Sequence, residues 1–229
     1  VLFATFYQVE KSSSHPLVDP DYLRQRETWA LLLTTLLTLT GVFAAVNGLA
    51  VAFAQGSPLG FGLRPDVSSL LLLTPYALVG WLIGPFAGRF APVFGYRRML
   101  RIGLVGSILS LALMATGGLR SLPLLVVSAV LLGVTYAGTV NIMLNGLGIV
   151  LSRPENPGFL PGMNSAAFNL GAGLSFAILP VVQVVGSPSG SSSSLGYSGG
   201  ILLGSVITAG ALAASYLIPR PVAAEVTER

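Results

Sequence analysis

Six stretches of the chain run apolar over roughly the width of a bilayer without a charged residue: 29–55, 67–88, 102–119, 121–152, 162–186 and 199–219. A helix needs about 20 mostly apolar residues to cross a hydrocarbon core about 30 Å thick. Barrel strands would show alternation over about 10 residues, and these runs do not alternate. The pattern therefore predicts an all-α, polytopic membrane protein with six transmembrane helices. Its contacts should be with the lipid bilayer.

The polar breaks between the runs sort by charge. Lys11, Arg24, Arg26, Arg89, Arg97, Arg98, Arg101, Arg153, Arg220 and Arg229 fall on one side of the predicted membrane, and only Arg64 and Arg120 on the other. Positive residues concentrate on the cytoplasmic side. Ten against two predicts a cell (cytoplasmic) membrane protein, multi-pass, with both termini cytoplasmic. The Ser/Gly-rich stretch 187–198 then lies outside as a flexible connector.

Composition narrows the chemistry. Hydrophobic residues make up 53% of the chain and charged residues 9%, against roughly 25% charged in a soluble domain. There is no cysteine, so disulfides and thiolate chemistry are excluded. The net charge of +4 reflects arginines at helix ends, and nucleic acid is not an expected partner. No paired carboxylates, nucleophile–base set or metal-ligand cluster stands out. No enzyme activity, metal or cofactor is expected.

The chain opens at Val1 with Val-Leu-Phe-Ala-Thr-Phe-Tyr-Gln and no methionine, then turns polar at Glu10 and Lys11. A secretory signal would place the positive charge first. Residues 1–9 are therefore read as the end of a preceding transmembrane helix and 10–28 as a cytoplasmic linker. The six-helix domain covers 29–219, and 220–229 form a cytoplasmic tail. In the linker, Asp19 or Asp21 is a candidate helix cap, and Tyr22, Leu23 and Trp29 are expected at the membrane interface. His15 is read as solvated.

The most specific stretch lies at the end of the second run. Gly80, Gly84 and Gly88 recur every fourth residue, share one helix face and allow close approach of a neighbour. Arg89 marks the membrane exit. Gly95 suits a tight turn, and Arg97 and Arg98 anchor the next helix. Helix packing and topology suffice to explain these residues.

The same residues also resemble the cytoplasmic loop signature of the major facilitator superfamily, in which Gly-x-x-x-Gly-Arg is followed after a short gap by Gly-x-Arg-Arg. Gly84, Gly88, Arg89, Gly95, Arg97 and Arg98 match it. The family's Asp-Arg pair falls on Pro92 and Val93, so this copy of the latch is degenerate. His15 to Asp19, Tyr22 to Arg26, the glycine-dotted Leu131 to Gly138 and the segment Pro157 to Gly173 resemble the fourteen-span drug:proton antiporters. The resemblance implies six transmembrane helices forming one half of a major facilitator fold, with a missing N-terminal transporter half as partner. It further implies export of lipophilic drug-like compounds by alternating access. Two alternatives stay open: a metabolite uptake carrier of the same superfamily, and a truncated, non-transporting membrane scaffold.

No Asp, Glu, Lys, Arg or His lies inside the six runs. An intramembrane ionisable group is the usual mark of proton coupling, so a coupling acid is expected in the missing half. The polar groups that remain are amides and hydroxyls. Asn47, Tyr136, Asn141, Asn145 and Asn169 are candidates for a path taken by a small-molecule substrate, and Asn164 is a further buried-amide candidate. Each amide has two readings: a hydrogen bond between helices, worth about 0.6 kcal/mol on average, or the polar lining of a cavity.

Overall fold

The computed structural model describes residues 20–186 and 194–219. Six helices are long and apolar enough to cross a membrane: α1 (Arg26–Gln55), α2 (Pro65–Phe94), α3 (Tyr96–Arg120), α4 (Leu122–Val150), α5 (Phe159–Val185) and α6 (Ser194–Ser215). The described residues include no strand. The all-α, six-span reading holds. His15, Asp19 and the ends of the chain lie outside the described residues.

The packing repeats with a swap of halves. α1 packs on α5 and α6, while α4 packs on α2 and α3; α3 and α6 close the bundle against each other. Exchanging α1–α3 with α4–α6 maps one set of contacts on the other, as an internal repeat requires. α1 is the most buried span, at 67%, and α2 and α5 are the least, at 22% and 17%. These two helices are therefore the most outward-facing of the six.

Close approach depends on missing side chains. A Cβ on Gly41 would strike Gly204 O and Thr208 of α6, and one on Gly204 would strike Gly41 O. That pair lets the α1 and α6 backbones touch. At Gly80 a Cβ would stand 2.6 Å from Ala137 Cβ, whereas at Gly84 and Gly88 the nearest atoms belong to Ile142 at 3.5 and 3.7 Å. The glycine stripe does pack α2 on α4, as expected, but only Gly80 is sterically obliged to be glycine.

Three helices loosen into π turns: Ala45–Ala50 in α1, Ser69–Leu73 in α2 and Gly133–Val140 in α4. The second directly precedes Thr74 and Pro75, where the ladder loses a donor. α5 continues unbroken through Pro180.

Some boundaries differ from those read in the sequence. α2 does not end at Gly88 but continues to Phe94, so Arg89, Pro92 and Val93 are helical. The loop to α3 shrinks to Gly95, whose φ of 86° is open to glycine at little cost. The last span begins at Ser194, five residues before the predicted 199. Packing explains the gain: the Tyr197 ring lies 5.3 Å from that of Phe53, and Ser198 Oγ donates to Ala115 O at 3.0 Å. The part of 187–198 read as flexible connector is thus helical from Ser194 onward.

Tyr22 is the clearest departure. Expected at the lipid interface, it is 2% exposed. Its ring stacks on Phe159 at 4.8 Å, under the Arg153 guanidinium at 4.8 Å. Its hydroxyl accepts from Arg153 N–H at 3.1 Å. The turn before α1 is therefore docked on the α4–α5 connection. Arg26 and Arg101 tie the same end together: Arg26 Nε donates to Leu217 O at 3.0 Å, and Arg101 lies 3.9 Å over the Tyr216 ring.

A candidate substrate face on α1, α4 and α5

On α4, Leu144 and Gly148 face Asn164 of α5, while Ile142 faces Gly84 and Gly88 of α2. Asn141 and Asn145, four residues apart, project between those two contacts. Asn145 is exposed and Asn141 half-buried. Asn145 Nδ2 donates to Asn141 O at 2.8 Å and to Asn141 Oδ1 at 3.0 Å. The pair therefore satisfies part of its need within its own helix and reaches no neighbouring one.

The outward arc of α5 is divided. Leu170, Ile178 and Val181 form an exposed apolar edge suited to lipid. Ser165, Asn169 and Phe176 follow one another at helical spacing along another edge. Asn169 Nδ2 donates to Ser165 O at 2.8 Å. Phe176 is 47% exposed. It meets the Phe43 ring edge-on at 5.8 Å, and a Cβ on Gly48 of α1 would stand 3.1 Å from it.

Between Phe43 and Gly48 on α1, Asn47 lies half-buried in the π turn, with Nδ2 donating to Phe43 O at 2.9 Å. The turn is fixed from outside: Ala44 N–H, just before it, donates to Ser175 Oγ of α5 at 2.8 Å. Ser175 thereby ties the residue just before the π turn to α5.

Asn145 and Asn169 are thus exposed, and Asn47 and Asn141 half-buried, on three helices in mutual contact. All four side-chain donors are spent on their own helix or left outward, and none bonds to another helix among the described residues. Tyr136 does not join them. It is 3% exposed in the π turn of α4, where α2 and α3 clasp that helix. Asn164 behaves in the opposite way from the four amides. It is 2% exposed, accepts from Thr35 Oγ1 at 2.6 Å and donates to Leu144 O at 3.4 Å. It joins α1, α4 and α5 and lines nothing.

The loop-motif residues adjoin the α4 end of this set: Gly84 and Gly88 meet Ile142, next to Asn141, and Gly146, next to Asn145, packs on Tyr96. Arg89 and Arg98 are exposed at the end of α2 and the start of α3. Arg98, Phe94, Met99, Ile102 and Thr139 border a surface groove of about 470 Å³.

Sequence reasoning passed over three sets of residues. Thr28, Thr34, Thr35, Thr38 and Thr40 form a buried hydroxyl ladder in α1. Thr34 and Thr38 bond back to the carbonyls four residues earlier. Ser175 was one serine among many. Phe43 and Phe176 looked like ordinary apolar residues, and only their juxtaposition across two helices sets them apart.

Residues 8–176 match the family model of the Major Facilitator Superfamily. The chain belongs to that superfamily. It is 50% identical over 220 residues to the uridine/deoxyuridine transporter of Lactococcus lactis subsp. cremoris (strain MG1363), an alignment that takes in 96% of this chain and 46% of the relative. The chain thus spans about half the length of that curated relative. Membership fits the six membrane-spanning helices, and the swapped packing of α1–α3 and α4–α6 matches the internal repeat of such folds.

Proposed function

We propose that this chain forms the carboxyl-terminal half of a nucleoside uptake carrier, working by alternating access in a bacterial cytoplasmic membrane with both of its ends cytoplasmic. The observation that carries the reading is the set of amides on the mutually packed helices α1, α4 and α5 that bond to no other helix among the described residues, with no charge beside them in the runs. A nucleoside is neutral, rich in hydroxyls, and bears a pyrimidine edge of alternating acceptors and a donor. A carboxamide offers one acceptor and two donors, so Asn47, Asn141, Asn145 and Asn169 can complement it without the desolvation cost of a fixed charge. The half-identical relative, named for uridine and deoxyuridine, supports the same solute class.

The expected export of lipophilic compounds rested on likeness to the fourteen-span antiporters. It now has less support than the uptake alternative, since the relative is a nucleoside transporter and lipophilic cargo would leave four outward amides unmatched. A scaffold without transport has no observation in its favour. Among the charge-free interiors of the spans there is no acid to carry a proton, so coupling is assigned to the other half.

Uptake of radiolabelled uridine and deoxyuridine, by cells lacking their own nucleoside carriers and expressing the full-length protein, tests the proposal. Saturable accumulation is expected. Absence of uptake together with lowered accumulation of lipophilic dyes would restore the export reading.

A further inference from the structure

Phe176 is an exposed aromatic ring on the polar edge of α5, not on its lipid edge. Three features hold it there. Gly48 leaves the space that the ring fills, with a would-be Cβ 3.1 Å away. Phe43 supports it edge-on at 5.8 Å. The hydrogen bond from Ala44 N–H to Ser175 Oγ, 2.8 Å long, pins the residue next to it against α1. In the π turn Ala45–Ala50, Asn47 immediately precedes Gly48 and donates to the carbonyl of Phe43, the two residues that meet the ring. Asn169 stands seven residues earlier on the same edge, about 10 Å along the axis. A flat face with an amide at its rim is what a planar, hydrogen-bonding heterocycle requires. Stacking holds the ring face, and the amide pairs with an edge.

We propose that Phe176 is the stacking platform for the substrate's pyrimidine ring and that Asn47 reads the edge of that ring, with Gly48 and Ser175 as positioning residues. This inference rests on the nucleoside reading above and adds the part of the substrate that the α1–α5 seam recognises. The ribose is left to the amides nearer the other end of α5 and α4.

The test needs no variant to begin. In 5,6-dihydrouridine the hydrogen-bonding edge is kept but the ring is no longer flat. Competition against uridine uptake by the full-length protein should show dihydrouridine about tenfold weaker than uridine. Phe176→Leu, checked for abundance in the membrane, should raise KM for uridine about tenfold and abolish the discrimination. Phe176→Tyr should retain both. Gly48→Ala, which displaces the ring, should fall between. Equal inhibition by uridine and dihydrouridine in the parent protein would overturn the stacking role while leaving nucleoside uptake intact. A Leu variant with unchanged KM would do the same. No uridine uptake by the parent protein would overturn the nucleoside reading and this inference with it.

Discussion

Asn164 and Asn169 lie five residues apart on α5, and their surroundings differ completely. Asn164 is enclosed and bonded to α1 and α4; Asn169 is exposed and bonded only to its own helix. The same contrast separates the inner face of the bundle, with Gly41, Gly204 and Gly80 in tight contact, from the outward face with Asn47, Asn141 and Asn145. In a membrane an amide must find a partner or line a wet space. The inner face shows the first solution and the outward face is suited to the second. Substitutions should therefore divide into those that cost stability and those that cost substrate affinity.

The largest effect belongs to the inner face. Gly41→Leu forces α1 from α6 and should cost about 3 kcal/mol or more, read as loss of the folded, monodisperse protein in detergent. Next comes Asn164→Ala, which removes the acceptor of Thr35 Oγ1 and the tie to Leu144 O. It should cost about 1–2 kcal/mol, seen as a lower melting temperature, while KM for uridine in the surviving protein stays near the parent value. Asn141→Ala should give the mirror image: an unchanged melting temperature and a KM raised about fivefold, the loss of one substrate hydrogen bond. If Asn141→Ala lowered the melting temperature as much as Asn164→Ala, the division between the two faces would collapse. The smallest effect is expected for Gly84→Ala, within about 0.5 kcal/mol, because the new methyl meets Ile142 at ordinary contact distance. Gly80→Ala, facing Ala137 at 2.6 Å, should be distinctly worse and sharpens the same point within one stripe.

Span number and identity were legible because lipid imposes a length and a composition that few soluble sequences satisfy. The glycine stripe was legible as packing, since spacing alone puts Gly80, Gly84 and Gly88 on one face. Which of the three is essential was not, because that depends on whether Ala137 or Ile142 stands opposite. The start of α6 was misjudged because Ser194 to Ser198 look like a linker in isolation and become helical through contacts with Phe53 and Ala115. Tyr22 was misplaced for a similar reason: an amphipathic ring suits a lipid interface equally well until Phe159 and Arg153 are seen to enclose it. The amides were visible as polar residues in apolar runs, but burial alone separates Asn164 from Asn169, and sequence holds no record of burial at that resolution. The aromatic seam was invisible, since Phe43 and Phe176 are more than a hundred residues apart.

The joint at Gly95 has a mechanical consequence. Helix runs into it from Phe94 and out of it from Tyr96, so α2 and α3 form two long rods sharing a single-residue elbow. Such an elbow has no spare chain to pay out. It transmits rotation of one rod to the other but resists sliding between them. The left-handed backbone at Gly95, with no atom within 4 Å of a would-be Cβ, means that any other residue there would stiffen the elbow by its own backbone preference rather than by collision. In the alternating-access cycle proposed above, α2 and α3 swing as one bent lever.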